Sequence, residues 1–345
     1  MKVILFLLFS FNCFACDILF YLQDAGETNA LLPVAEKLKS EGFDVEILVG
    51  GVAKGIVKGK GASIDDFGVA VDPNWKRTDR LDSAVIDLIV SHYHPKAFVS
   101  GVAFELEGQF YDAFQASKVH TVAFWDNFSS EGQDPYFTTA RSVEAHAETL
   151  WVPSPQVAEA FKERRCLSVV GHPSLQKWAA DAESVDREAV RSKLGLAQDD
   201  RVCVFVGGYG PLYEQAYGLF LDFVKETDDV TILVQPHPKY AGSFESGFDA
   251  DVKVLNNEIT TIEAIAISDF VFCHQSTVGF QAQYIGKPVS YFIPDGQQAP
   301  SFALNRVSSP SDYSQAFEQK KGPAISGLPL HSTELCTKLL SKYKE

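Results

Sequence analysis

The chain has 345 residues, 46% of them hydrophobic and 22% charged, with 30 basic against 45 acidic side chains and a formal net charge of −15. That length sets a prior of about two domains, each large enough for its own core, and the composition excludes a disordered chain. The acidic balance, with no Lys/Arg cluster, repels phosphate backbones and argues against a nucleic-acid partner.

Lys2 followed by the apolar run VILFLLFSFNCFA makes residues 1–15 resemble a short secretory signal or an anchor segment. As a helix the run would span roughly 20 Å, short of the ~30 Å of a bilayer core. An extra strand is the competing reading. The segment predicts membrane association through residues 1–15, at the cytoplasmic face or, alternatively, export after cleavage. Among the cysteines, Cys203 and Cys273 sit inside apolar runs and are expected as reduced core thiols.

Asp17 to Leu22 reads as the first strand, DAGETN (24–29) as a turn, Ala30 to Ser40 as a helix and Val45 to Val49 as the second strand, a βαβ unit. With one glycine, Gly26, in the turn, a dinucleotide is not expected. SAVIDLIVS (83–91) leads into a strand that ends at SHYHPK. Glu105 to Ala116 is a predicted helix and Val119 to Trp125 a strand closed by Asp126 and Asn127. TLWVPSPQVAEAFKER is strand, turn and helix, and LSVVGHP precedes a domain junction placed at 172–186.

The second half repeats the alternation: helix Arg187–Lys193, strand Val202–Val206, the turn Gly207-Gly208-Tyr209-Gly210, helix Leu212–Thr227, strand Val230–Gln235 and then His237-Pro238. Strand Val252–Leu255 and helix Ile262–Ile267 follow. Phe270 to Cys273 is a short apolar run of the buried parallel kind. Ser276 then stands as N-cap to a helix from Thr277 to Ile285, which Gly286, Lys287 and Pro288 stop before strand Val289–Ile293. Ser332–Lys344 is a last amphipathic helix. A helix start at the carboxyl end of a parallel sheet attracts phosphate through its free N–H groups and its dipole.

The stretch STVGFQAQYIGKPV (276–289) resembles the donor-binding segment of GT-B-type glycosyltransferases and their relatives, notably CDP-glycerol and capsule-polysaccharide transferases and the non-hydrolysing UDP-N-acetylglucosamine 2-epimerases. The resemblance implies two doubly wound Rossmann-like α/β domains facing a cleft. Residues 16–173 would be the acceptor-side domain, 174–331 the nucleotide-donor domain and 332–345 a C-terminal helix crossing back to the first. It implies that Ser276 and Thr277 hold donor phosphates, aided by His237, and that Gln281 stands where the family's ribose-binding Glu would be.

Gly207, Gly208 and Gly210 are candidates for a nest of N–H groups around the donor, a tight turn being the other reading. Glu27 and Asp126 are the candidate general bases for an acceptor hydroxyl, helix capping around Glu27 and loop hydrogen bonding at Asp126 being the other readings. His92 and His94 lack further ligands, Asp249 and Asp251 sit in a Gly/Ser-rich loop, and no metal or cofactor is expected. The activity implied is transfer from a nucleotide-activated sugar or polyol donor to a glycan or lipid-linked acceptor. A sugar-nucleotide 2-epimerase and a non-catalytic binding relative are the alternatives. Epimerases of the family carry two adjacent acidic residues in this segment, where Ala282 and Gln283 follow Gln281 here.

Overall fold

The computed structural model describes residues 14–69, 76–132, 135–208, 210–237, 242–256, 258–318, 328–329 and 331–344. It divides into two compact units. The first comprises residues 1–126, 134–173 and 329–345, and the second 127–133 and 174–328.

In the first unit the chain runs β1 (Phe14–Leu22), α1 (Ala25–Ser40), β2 (Val45–Val49), α2 (Ala53–Val57), β3 (Ala62–Ser63), α3 (Ser83–His92) and β4 (Tyr93–Ser100). It continues through α4 (Glu105–Ala116), β5 (His120–Phe124), α5 (Pro135–Glu144), β6 (Thr149–Val152), α6 (Pro155–Glu159) and β7 (Leu167–Val169). The seven strands form one parallel sheet in the order β3-β2-β1-β4-β5-β6-β7. Alternation along β1 serves both faces. Ile18, Phe20 and Leu22 enter the layer under α1 and α2, while Leu19 and Tyr21 enter the one with Phe98, Phe110 and Phe114.

The second unit contains α7 (Ser174–Glu183), α8 (Arg187–Leu194), β8 (Val202–Val206), α9 (Pro211–Lys225), β9 (Thr231–Gln235), β10 (Lys253–Val254), α10 (Thr261–Ile267), β11 (Phe270–Cys273), α11 (Thr277–Tyr284), β12 (Val289–Phe292) and β13 (Arg306–Val307). Its six strands are parallel in the order β10-β9-β8-β11-β12-β13. Val202, Val204 and Val206 face one layer, Cys203 and Phe205 the other. Both thiols expected in the core are there: Cys203 and Cys273 are free and fully buried. The final helix, α12 (Ser332–Leu340), returns to the first unit and packs on α1 through Cys336 and Leu340.

Four expectations are corrected. First, β1 begins at Phe14, inside the segment read as a leader; Phe14 and Ala15 pair with Tyr93 and His94 of β4. Residues 1–13 of that segment lie outside the described residues.

Second, α1 begins at Ala25, five residues early, because Asp24 and Glu27 close a capping box that turns DAGETN into the first helical turn. Third, SAVIDLIVS is helical: the Asp82 carboxylate caps it by accepting from the Ala84 N–H at 2.8 Å, and its apolar positions Ile86 and Ile89 are buried at helical spacing. The strand therefore starts where it was expected to end, at Tyr93. Pro95 is tolerated because only β1 pairs with β4 at that level, β5 joining from Ala97 onward.

Fourth, residues 135–144, given no element by the sequence, form α5. Among the described residues no helix is long and apolar enough to cross a membrane.

Candidate functional site

In a doubly wound sheet the ligand crevice opens where consecutive connections leave in opposite directions, at the carboxyl ends of two neighbouring strands. Each unit has one such point. In the second unit it lies between β8 and β11, since β8 is followed by β9 on one side and has β11 on the other. The register aligns Val206 with both Gln235 and Cys273, so the turns after β8, β9 and β11 emerge side by side. This topology brings together Gly207, Gly208 and Gly210, His237, and Ser276 and Thr277.

The residues there do different jobs. Ser276 is the N-cap of α11, its Oγ accepting from the Val278 N–H at 3.2 Å. Thr277 is the first helical residue, so its own N–H has no intrahelical acceptor. Gln281 lies one turn further on and is half-buried, as is His237.

Crowding by itself requires glycine at two of these positions. The Gly207 N–H already donates to the Gln235 carbonyl at 2.8 Å, and a Cβ at Gly207 would stand 2.9 Å from the His237 nitrogen. A Cβ at Gly208 would meet the Tyr213 ring at 2.8 Å. Only Gly210, with φ of +85°, uses glycine's left-handed freedom, as N-cap of α9. Tyr209, Pro238 and Lys239 lie outside the described residues.

Sequence reasoning passed over His274, the first residue after β11. It is 6% exposed, and burial lowers its pKa. It also gave no role to Glu245, which is buried behind Gly207 and accepts from the Tyr213 hydroxyl at 2.7 Å. His274 had a legible signal in its place between an apolar run and an N-cap serine. Glu245, in a loop with no periodicity, had none.

In the first unit the order reverses between β1 and β4, so α1 and α4 both start there. Each carries a Glu at its third position that turns back on its own cap. Glu27 Oε1 accepts from the backbone N–H groups of Gln23 (2.5 Å) and Asp24 (3.0 Å), and Glu107 Oε2 from that of Phe104 (3.0 Å). Both are buried, at 1% and 0% exposure. Burial, then each other's charge, holds Glu27 well above the ordinary carboxylate range; burial pushes Glu107 up to about 8. Among the described residues neither Glu27 Oε2 nor Glu107 Oε1 has a hydrogen-bond partner, so two buried carboxyls face each other with one oxygen each unsatisfied. Glu27, expected to present a free carboxylate to an acceptor, is instead an interior helix cap.

Asp126 fits the part better. It is half-buried just past β5, and its Oδ1 accepts from the Tyr136 hydroxyl at 2.5 Å. Its Oδ2 sits against Gly26, where a Cβ would come within 2.1 Å. Burial and the Asp24 charge push it up to about 6, opposed by the Tyr136 hydrogen bond and by Arg77. Arg77 stands 4.0 Å from Asp24 and over the Tyr136 and Phe104 rings, 5.2 and 5.4 Å from their centroids. A carboxylate so placed can accept a proton near neutral pH.

His92 and His94 straddle the α3–β4 boundary, half-buried and exposed respectively, while Asp249 and Asp251 lie in an exposed loop. Among the described residues no group of three or more His, Cys, Asp or Glu could hold a metal ion.

No protein-family model and no curated protein sequence matches the chain. Solved structures do. UDP-N-acetylglucosamine 2-epimerase from Methanocaldococcus jannaschii, in complex with UDP-GlcNAc and UDP, is similar with a TM-score of 0.67 at 12% identity, over 94% of this chain and 99% of that one. The Neisseria meningitidis enzyme bound to UDP-GlcNAc gives 0.65 at 11% identity, over 94% and 100%. A glycosyltransferase from Rickettsia africae gives 0.60 at 13% identity, over 95% and 93%. At such identities the likeness speaks to the fold. With its two parallel α/β sheets of seven and six strands, this chain has the two-domain GT-B-type fold of the nucleotide-sugar epimerases and glycosyltransferases.

Proposed function

We propose that the protein is a glycosyltransferase, or a related polyol-phosphate transferase, that moves a group from a nucleotide-activated donor to an acceptor hydroxyl. The observation that carries this reading is the convergence of the β8, β9 and β11 turns with the start of α11 at the second unit's strand-order reversal. Donor phosphates would sit at the Ser276–Thr277 helix start, where the dipole and the Thr277 N–H offset their charge without a metal. His237 would flank them, and Gln281 would take a ribose hydroxyl. In the first unit Asp126 would remove the acceptor's proton as the bond to the donor carbon or phosphorus forms and the nucleotide leaves. The acceptor would be a surface glycan or lipid precursor, with the apolar residues ahead of β1 as a membrane attachment.

A second reading, a sugar-nucleotide 2-epimerase, is favoured by the two similar epimerase structures. It is disfavoured by Ala282 and Gln283 in place of adjacent acids. Incubation with UDP-GlcNAc in deuterium oxide, followed by proton NMR, separates the two. Epimerisation exchanges the C2 proton and yields a second sugar configuration. A transferase leaves C2 untouched and releases UDP in the presence of an acceptor. A thermal-shift series against CDP-polyols and UDP- and CDP-sugars tests both at once. A donor at a hundred times its Kd adds about 2.7 kcal/mol of stability, and the absence of any shift would remove the donor site altogether.

A further inference from the structure

His274 is held by a relay that fixes which of its nitrogens carries the proton. Its Nε2 lies 2.6 Å from Gln297 Oε1. The Gln297 amide cannot be turned round, because its Nε2 donates to the Leu212 carbonyl at 3.1 Å, and a carbonyl only accepts. A second contact, to Gln215 Oε1 at 3.2 Å, holds it the same way. Gln297 is itself 7% exposed. Since Oε1 must accept, His274 Nε2 must donate, and burial keeps the ring neutral by lowering its pKa. Nδ1 is then a bare lone pair. Among the described residues no hydrogen bond reaches it.

The ring stands at the carboxyl end of β11, two residues before the α11 cap Ser276, with the Tyr213 ring 6.5 Å away between centroids. The Tyr213 hydroxyl donates to Glu245 Oε1 at 2.7 Å rather than to the imidazole.

We propose that His274 is a specificity-determining acceptor of the ligand site at the ends of β8 and β11: its Nδ1 takes a hydroxyl group of the ligand, and Gln297 sets the tautomer that lets it do so. The inference rests on the reading that a nucleotide-activated donor occupies this site, and it adds a chemical preference. A sugar hydroxyl can donate to Nδ1. A phosphate oxygen, carrying only lone pairs, is repelled by it and is directed to the helix start instead. His274 thus separates the hydroxyl-bearing part of the ligand from its phosphates, whereas an imidazolium would draw the phosphates to itself.

The test uses the full chain with UDP-GlcNAc, UDP and inorganic pyrophosphate as calorimetric probes at pH 7.5. His274→Asn places an acceptor oxygen near the Nδ1 position and should keep affinity for UDP-GlcNAc within about threefold. His274→Gln, whose amide reproduces only the Nε2 end, should lose about tenfold. Pyrophosphate affinity should not fall in either. Gln297→Glu, which favours the charged imidazolium, should weaken UDP-GlcNAc and tighten pyrophosphate. If pyrophosphate binding falls in step with UDP-GlcNAc, or if His274→Gln binds UDP-GlcNAc as the parent does, the assignment is overturned while the donor site stands. If the parent binds no probe, the donor site and this assignment fall together. Nitrogen-15 NMR of the parent ring supplies a ligand-free check that also covers variants that do not fold: the Nδ1-protonated or doubly protonated form at pH 7.5 would overturn the relay.

Discussion

Glu107→Gln should make the first unit more stable at alkaline pH. The Glu27–Glu107 pair is buried, and Glu107 is pushed from 4.5 to about 8. A carboxyl whose folded pKa is raised binds its proton more tightly folded than unfolded. Its contribution is fully present below about pH 4.5 and is lost as pH rises through about 8. At about 1.4 kcal/mol per unit the ceiling is about 5 kcal/mol, and coupling to the neighbouring Glu27 lowers what is realised to a few kcal/mol. The amide keeps the cap, since its oxygen can accept from the Phe104 N–H, and its NH2 can donate to the otherwise unpartnered Glu27 Oε2. Calorimetric unfolding of parent and variant from pH 5 to 9 reads the effect. The two should agree near pH 5 and diverge steadily above pH 6, with the variant on the order of 10 °C ahead at pH 9. Equal slopes in the two proteins, or a variant destabilised at every pH, would refute the raised pKa of Glu107.

Three further outcomes are expected. Gly26→Ala, at the second position of α1, should leave stability unchanged or slightly improved. Its Cβ, 2.1 Å from Asp126 Oδ2, would displace that carboxylate and cut the proposed transfer activity by at least about tenfold, read as kcat beside a melting curve. Tyr136→Phe removes a hydrogen bond that holds Asp126 down, so the acidic limb of the pH–rate profile should move to higher pH; an unmoved limb would take Asp126 out of the mechanism. Gln281→Glu should preserve or tighten nucleotide affinity by up to about tenfold in calorimetry, while Thr277→Ala should weaken it.

The architecture was legible because parallel strands buried on both faces appear as apolar runs, and β8, β9 and β11 were placed to within a residue of their ends on that ground. The Ser276 cap was legible for the same local reason. What escaped depends on partners distant in sequence. Glu27 looked like a free acid because nothing local announces that Glu107, on another helix, closes over it. Gly207 and Gly208 looked like an anion nest because the His237 nitrogen and the Tyr213 ring that crowd them come from elsewhere in the chain. Asp126 stood out as a candidate from its place after a strand, but its contact with Tyr136 depends on α5, which the sequence did not show. His274 had a local signal in its place, but the contact that fixes its tautomer, Gln297, lies across a loop.

The position of α12 has a consequence for how the chain is made. Its Cys336 and Leu340 complete the apolar layer that covers Leu31, Val34 and Leu38 of α1, yet residues 174–328 are synthesised before them. On the ribosome the first sheet waits, with one helix of its cover missing, until the second unit has emerged. The second unit has no such wait after residue 328. Vectorial synthesis thus gives the later unit the chance to mature first, while the apolar layer over α1 stays uncovered on that side until α12 docks.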